Sequence, residues 1–483
     1  MTTARDIQAI IDRVRARYGT QAHGTREPVA GPATPASPAG PAGSGIFRTI
    51  DAAVEAAWNA FQAFRRSGLD QRHEIIDAIR QAMRQHGAAL ARMAHEETGL
   101  GRSEDKTTKN RLVTEKTPGP EDLEPQIWSG DRGLTVVEYA PFGVVAAITP
   151  TTNPTATIIN NTIAVVSAGN ALVFNVHPNA KHVSVEAIQI LNRAIVGSGG
   201  PPNVVTCIAE PTLESAQALM AHPKARILLV TGGPGVVRAA LATEKRAITA
   251  GPGNPPVVVD ATADIAHAGV EIVRGASFDN NVICTDEKEV FVVEQVADEL
   301  LQALAANGAV IVPEAKIPVL EKVIFKQLGE PMKPGKINAT WIGKNAGRIL
   351  AEIGIPAGDD VRLAIAPVPV THSLMWTEQM MPVLPVARVE SVSRAIDLAV
   401  RAEHGFGHTA SIFSRDVFII TDMARRINVS IFVANAANLA GLGDGGEGYT
   451  YFSIASPSGE GLTRPRSFSR ERRLTVAGGL RIV

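Results

Sequence analysis

Cys284 stands in the segment FDNNVICTDEKEV, Phe278 to Val290, and is one of two cysteines in 483 residues. An unpaired thiol is often a small buried hydrophobe, but its thiolate is also a nucleophile. Taken alone, the segment leaves both readings open. If Cys284 reacts, its ordinary pKa of about 8.5 calls for a local aid to ionisation, such as a helix N-terminus or a nearby cationic ring. Cys207, in NVVTCIAE at a strand end, reads as core. The run Asp286, Glu287 and Lys288 just past Cys284 reads as a solvated face.

Glycine-rich turns supply the second kind of chemistry. ARILLVTGGPGVV sets Gly232, Gly233 and Gly235 between a strand pattern and a helix pattern, where a pyrophosphate could lie against a helix N-terminus or the chain could simply turn. TAGPGNPPVVVD places Gly251 and Gly253 in a tight turn before a strand. Neither is a GxGxxG. In ITPTTNP, Asn153 before Pro154 also fits an ordinary Asx turn. His404 and His408, in AEHGFGHTASIF, read as satisfied loop residues or as a proton relay.

The elements that would hold these residues begin near Ile46. Helical spacing runs through IDAAVEAAWNAFQAF and HEIIDAIRQAMRQHGAALARMAHEETG. From Gly143 short apolar runs (GVVAAIT, NALVFNV, NVVTCIAE, ARILLVTG, PPVVVD) alternate with helical segments, which predicts a parallel sheet covered on both faces. A second α/β block is expected from about 261 to 440, so the chain reads as two large domains. Ahead of them, Ile7, Ile10, Ile11, Val14 and Tyr18 fall on one face of a helix, followed by a Pro-, Ala- and Gly-rich linker. Such a stripe either packs back on its own body or docks on another protein.

Composition narrows the class. The 47 Lys and Arg against 48 Asp and Glu give a net charge of -1, with the signs interspersed, so neither nucleic acid nor an anionic membrane is an expected partner. No apolar run approaches the roughly 18 residues of a membrane span or an export signal, so the protein is expected in the cytoplasm. Two cysteines are too few for a disulfide scaffold or a thiolate zinc site, and no metal is expected.

Taken together, FDNNVIC, ITPTTNP, HPNAKH, EQMMPVLPV (Glu378 to Val386) and the tail IASPSGEGLTRPRSFSRERR resemble the aldehyde dehydrogenase superfamily, in its CoA-acylating branch from bacterial microcompartments. The resemblance covers the chain from Ile46 onward. It implies an α/β fold with a Rossmann-like cofactor domain (46–257, with an oligomerising excursion near 120–140), a catalytic α/β domain (258–440) and a C-terminal return with an oligomerisation segment (441–483). The small β-flap of that family makes dimers or tetramers. Residues 1–20 resemble the branch's encapsulation peptides, tethered by a linker over 21–45, which implies shell proteins as partners and the microcompartment lumen as location.

By the same resemblance, Cys284 matches the nucleophile and Asn153, with the Cys284 backbone N–H, the oxyanion hole. Thr149, Pro150, Thr151, His177, Pro178, Gly232, Gly233, Gly251, Pro252, Gly253 and Glu378 match cofactor-binding positions. Met380 stands where the family has an aromatic residue, His177 where it has lysine, and Ala180 where an acidic residue often grips the adenosine hydroxyls. NAD is expected ahead of NADP, a preference that these departures weaken, with coenzyme A as co-substrate. The hydrolytic branch carries a glutamate that activates water; here that position falls at or beside Thr249, so the expected product is acyl-CoA. Propionaldehyde is expected before acetaldehyde. The rivals are a hydrolytic aldehyde dehydrogenase and a non-catalytic scaffold.

Overall fold

Apolar runs that recur between helices from Gly143 onward assemble into two all-parallel sheets in the computed structural model, which describes residues 43–483. The N-terminal stripe and linker residues 21–42 lie outside the described residues. In the first sheet the strand order is Ile46–Phe47, Val205–Ile208, Ala171–Asn175, Val144–Ile148, Ala225–Thr231 and Arg246–Ala250. Every pairing in it is parallel. The strands Val144–Ile148 and Ala171–Asn175 are buried along their whole length, because helices cover both faces. Each such aliphatic side chain contributes about 1.5–3 kcal/mol by leaving water. The order reverses at Val144–Ile148, which opens a crevice at the carboxyl ends of that strand and Ala225–Thr231.

The second sheet runs Ala309–Ile311, Leu363–Pro367, Val383–Val389, Glu289–Val293, Pro256–Val259, Thr409–Phe413 and Ile431–Ala434, also wholly parallel. PPVVVD, expected in the first block, belongs to the second sheet, where Pro256–Val259 pairs with Glu289–Val293 and Thr409–Phe413. An apolar run says that a strand is buried, and only tertiary pairing says beside what. A separate antiparallel sheet joins Gln126–Gly130 and Gly133–Pro141 to the C-terminal strand Ser469–Ala477.

Helices Ile50–Phe64 and Leu69–Thr98 follow the expected stripes, the second burying Ile75, Ile76, Ile79, Met83 and Leu90. It stops at Gly99, whose φ of 64° closes a left-handed cap with its N–H donating to His95 O. The helix Ser103–Lys116 has no apolar stripe and was not expected from the sequence. It nevertheless packs against its neighbours, burying Asp105, Lys106 and Lys109 beside Leu112 and Val113. No helix among the described residues is long and apolar enough to cross a membrane.

Candidate active site

Between the crevice of the first sheet and the loop that carries Cys284 lies a cleft of about 690 Å³, the size of a cofactor or substrate site. Thr149, Pro150, Thr151, His177, Pro178, Gly232, Gly233, Gly251, Pro252 and Glu378 line it together with Asn153 and Cys284. Gly253 does not. It sits behind the cysteine, where a Cβ would come within 2.6 Å of Cys284 O and 3.0 Å of the His408 ring. Its N–H instead donates to Glu378 Oε1 at 3.2 Å. Sequence reasoning also missed Leu442, Tyr451, Phe452 and Ile454, which reach the cleft from the C-terminal segment.

The first-sheet wall is made of strand ends and helix starts. Pro234 occupies the first turn of Pro234–Leu241, and Pro154 that of Pro154–Ser167, where a missing N–H costs nothing. The unpaired N–H groups of these turns favour an anion. Thr149 Oγ1 is buried in the same wall without a partner. A phosphorylated, hydroxyl-rich ligand fits this wall. No carboxylate stands on the stretch from His177 to Ala180, where a dinucleotide fold often holds the adenosine ribose, and burial lowers the His177 pKa.

Asn153 caps nothing: its side chain makes no bond to the following helix, which sets aside the Asx-turn reading. Lys109 Nζ donates to Asn153 Oδ1 at 2.5 Å, and Asn153 Nδ2 donates to Thr152 Oγ1 at 3.3 Å. Lys109 also pairs with Asp279, which accepts from Lys106 Nζ at 2.9 Å and from Arg102 N at 2.7 Å. The Asp279 backbone N–H in turn donates to Asp105 Oδ2 at 2.8 Å, and Arg362 pairs with that carboxylate.

The cysteine loop is unusual in its backbone. Asp279, Asn280 and Asn281 all have positive φ, at 45°, 55° and 62°, a region that asparagine and aspartate tolerate better than most. Asn280 Nδ2 donates to Gly343 O and Asn345 Oδ1, and Asn281 Nδ2 to Ala276 O and Glu287 O. These bonds hold a conformation that costs on the order of 1–3 kcal/mol per strained residue.

The run after Cys284 overturns the expectation of a solvated face. Asp286, Glu287 and Lys288 are all 0 % exposed, because the chain passes from the loop straight into Glu289–Val293 at the middle of the second sheet. Lys288 Nζ spends its donors on Asn281 O, Asn281 Oδ1 and Ile283 O. Burial pushes the Asp286 and Glu289 carboxyls well up and that of Glu287 to about 7, against the pull of Lys288. They are held toward their neutral forms.

Nor does the protein itself ionise Cys284. Burial, and then the Glu378 carboxylate, push its thiol up to about 12, with Lys288 pulling the other way. Cys284 does not itself begin a helix, since the chain passes from the turn Phe278–Asn281 to the strand Glu289–Val293. Cys207 lies wholly within the core, and burial drives its thiol higher still. His404 and His408 do not line the cleft. His404 Nε2 bonds Trp376 O at 2.8 Å, and His408 is fully buried, its pKa pushed down to about 4 by burial and then by Lys288.

Glu378 is the one carboxylate among the residues lining the cleft. Burial raises its pKa, with Lys288 and the Gly253 N–H opposing. Thr249 is buried, away from the cleft, its N–H on Ser458 Oγ at 3.0 Å.

Comparison with known proteins agrees with this geometry. The aldehyde dehydrogenase family profile matches residues 22–319. The acetylating acetaldehyde dehydrogenase of Salmonella typhimurium is 48% identical over 440 residues, covering 91% of this chain and 94% of its own. A Rhodopseudomonas palustris propionaldehyde dehydrogenase, solved with bound CoA and an acylated cysteine, superposes with a TM-score of 0.86 at 46% identity, over 90% of this chain and 98% of that one. A propionaldehyde dehydrogenase from the Clostridium phytofermentans fucose utilisation microcompartment gives 0.87 at 43% identity, over 91% and 100%. The chain belongs to the aldehyde dehydrogenase family, in its CoA-acylating branch.

Proposed function

We propose that the protein oxidises a short-chain aldehyde, propionaldehyde before acetaldehyde, to its acyl-CoA. The observation that carries this reading is a single cleft holding Cys284, Asn153 and Glu378 below the switch point of a parallel sheet. Cys284 Sγ bonds to the aldehyde carbon, its proton leaves to solvent, and the carbonyl electron pair moves onto oxygen. Asn153 Nδ2 and the Cys284 N–H donate to that alkoxide; one such donor is worth on the order of a hundredfold to a thousandfold in rate. A nicotinamide dinucleotide supplies the hydride acceptor when bound, held by Thr149, Pro150, Thr151, His177, Pro178, the Gly232–Gly233 and Gly251–Pro252 turns, and Glu378. As the alkoxide collapses its carbon gives up a hydride, and Cys284 carries the acyl group as a thioester. The CoA sulfur then bonds to that carbon, its proton leaving to solvent, and Cys284 departs as thiolate.

Water competes poorly because Thr249 offers no carboxylate and does not line the cleft. NAD is the expected dinucleotide, with NADP tolerated, since no acid at 177–180 repels a 2′-phosphate. The test is NADH formation from propionaldehyde with and without CoA. Sustained turnover should need CoA and release propionyl-CoA. Propionate released at the same rate without CoA would make Glu378 the base of a hydrolytic enzyme instead.

Two wider features belong to the same proposal. The three-stranded flap exposes Ile127, Trp128 and Leu474, each more than half accessible, as a surface for a second copy of the chain in a dimer or tetramer. The N-terminal stripe carries the enzyme to shell proteins and into a microcompartment lumen.

A further inference from the structure

Two lysines share one buried carboxylate beneath the cleft. Lys106 and Lys109 are each 2 % exposed, and Asp279 is wholly buried. A buried ion pair ordinarily needs one cation per anion, because each extra desolvated charge costs several kcal/mol. The second ammonium therefore has to be stabilised by something else, and the partner it finds is the carboxamide oxygen of Asn153.

Chemistry fixes the sense of that contact. An ammonium only donates, so Asn153 must present Oδ1 to Lys109 and turn Nδ2 away from it. The amide nitrogen is then left for Thr152 Oγ1 and for the cleft that Asn153 lines. With a neutral or ambivalent neighbour, the amide could rotate by half a turn and offer oxygen, which would repel an alkoxide.

Asp279 adds a mechanical link. It lies five residues before Cys284 in the left-handed turn, and its carboxylate meets Lys109, Lys106 and Arg102 N together. Gly101 makes the approach feasible, since a Cβ there would fall 1.9 Å from Asp279 Oδ1. One carboxylate thus ties the cysteine loop to Asn153 through a single lysine.

We propose that Lys109, anchored by Asp279, is a positioning residue that fixes the polarity and place of the Asn153 amide relative to Cys284. This rests on the reading of Asn153 as an oxyanion donor. Lys106 remains as counter-ion to Asp279 when Lys109 is neutralised, so the fold should survive the change.

The experiment is a double-mutant cycle read by the stopped-flow NADH burst with propionaldehyde and NAD. Asn153→Ala should slow the burst by about a hundredfold or more and Lys109→Met by about tenfold to a hundredfold, with dinucleotide affinity altered by less than about threefold. In the Asn153→Ala background, Lys109→Met should cost less than about threefold further, because a residue acting through another loses its effect when that other is gone. Lys109→Arg should recover most of the rate. Lys109→Gln, which is one atom shorter and can accept as well as donate, should behave like methionine and serves if the methionine variant fails to fold. Losses that multiply in the double variant would overturn the inference while leaving Asn153 as donor. A wild-type burst in Asn153→Ala would overturn it by removing its premise.

Discussion

One wall of the cleft is glycine, proline and threonine at strand ends, whereas the other is a cysteine loop resting on buried lysines and carboxyls. The first wall binds with backbone N–H groups, which need space and open turns rather than charge. The second must control where a thiol and an amide point, and it does so with Asp279, Lys109 and Lys288 at ion-pair or hydrogen-bond distance. The difference separates holding a ligand from organising a reaction. Backbone turns tolerate many side chains around them, while a buried ionic cluster fails when one member is removed.

The largest effect should separate the two cysteines. Cys284→Ala should lower acyl-CoA formation by on the order of 10⁴-fold or more, since the covalent step has no other nucleophile, with dinucleotide binding retained. Cys207→Ala, in the core of the first sheet, should leave kcat unchanged and cost stability of about 1 kcal/mol. Steady-state assay and thermal melting of both variants check this. Substantial turnover by Cys284→Ala would remove the chemical wall from the comparison.

A smaller effect should appear in the charged support beneath the cysteine. Glu287 has its carboxyl raised to about 7 by burial, while Asn438 N donates to Oε1 at 2.7 Å and Oε2 has no partner. The sign follows from proton binding: the folded state holds this proton more tightly than the unfolded chain, so stability is lost as pH rises from about 4.5 to about 7. Above that the full cost applies, up to about 3 kcal/mol. Glu287→Gln keeps the acceptor for Asn438 and removes the charge. It should be more stable than wild type by about 1–3 kcal/mol at pH 8 and equal to it near pH 4, as read by urea unfolding. Destabilisation at pH 8 would mean that the carboxylate is ionised and paired.

The same contrast explains what the sequence made legible. Strands buried on both faces announce themselves as apolar runs, and the glycine turns follow them, so the first wall could be placed from GVVAAIT, ARILLVTGG and TAGPG. Cys284 drew notice as one of two thiols, and its role came from the resemblance of FDNNVIC to the family's nucleophile segment. Its support was not, since SEDKTTKNRLVTEK has the composition of a solvated helix, and Asp286 to Lys288 that of a surface turn. Charge in a sequence signals solvent unless its partner is known. The partners lie far off in the chain: Lys109 meets Asp279 across 170 residues. Such pairing leaves no local pattern to read.

The smallest effect on catalysis should come from deleting residues 1–20. Every residue that lines the cleft, and every member of the cluster beneath it, lies between Arg102 and Ile454, so the truncated protein keeps the whole site. Its kcat and KM should match those of the full chain. What should change is association. On a helix, Ile7, Ile10, Ile11, Val14 and Tyr18 would make a narrow apolar stripe, and at roughly 25 cal/mol per Å² its burial would stabilise a complex only modestly, with helix ordering offsetting part of the gain. Weak single contacts become useful when an oligomer presents several copies together, so avidity should set the overall affinity. A fluorescent protein carrying residues 1–20 should therefore co-purify with assembled microcompartment shells above an untagged control, and a tandem fusion more strongly than a single one. Equal signal from tagged and untagged protein would leave the stripe without a shell partner, and altered kcat in the truncation would place it against its own enzyme.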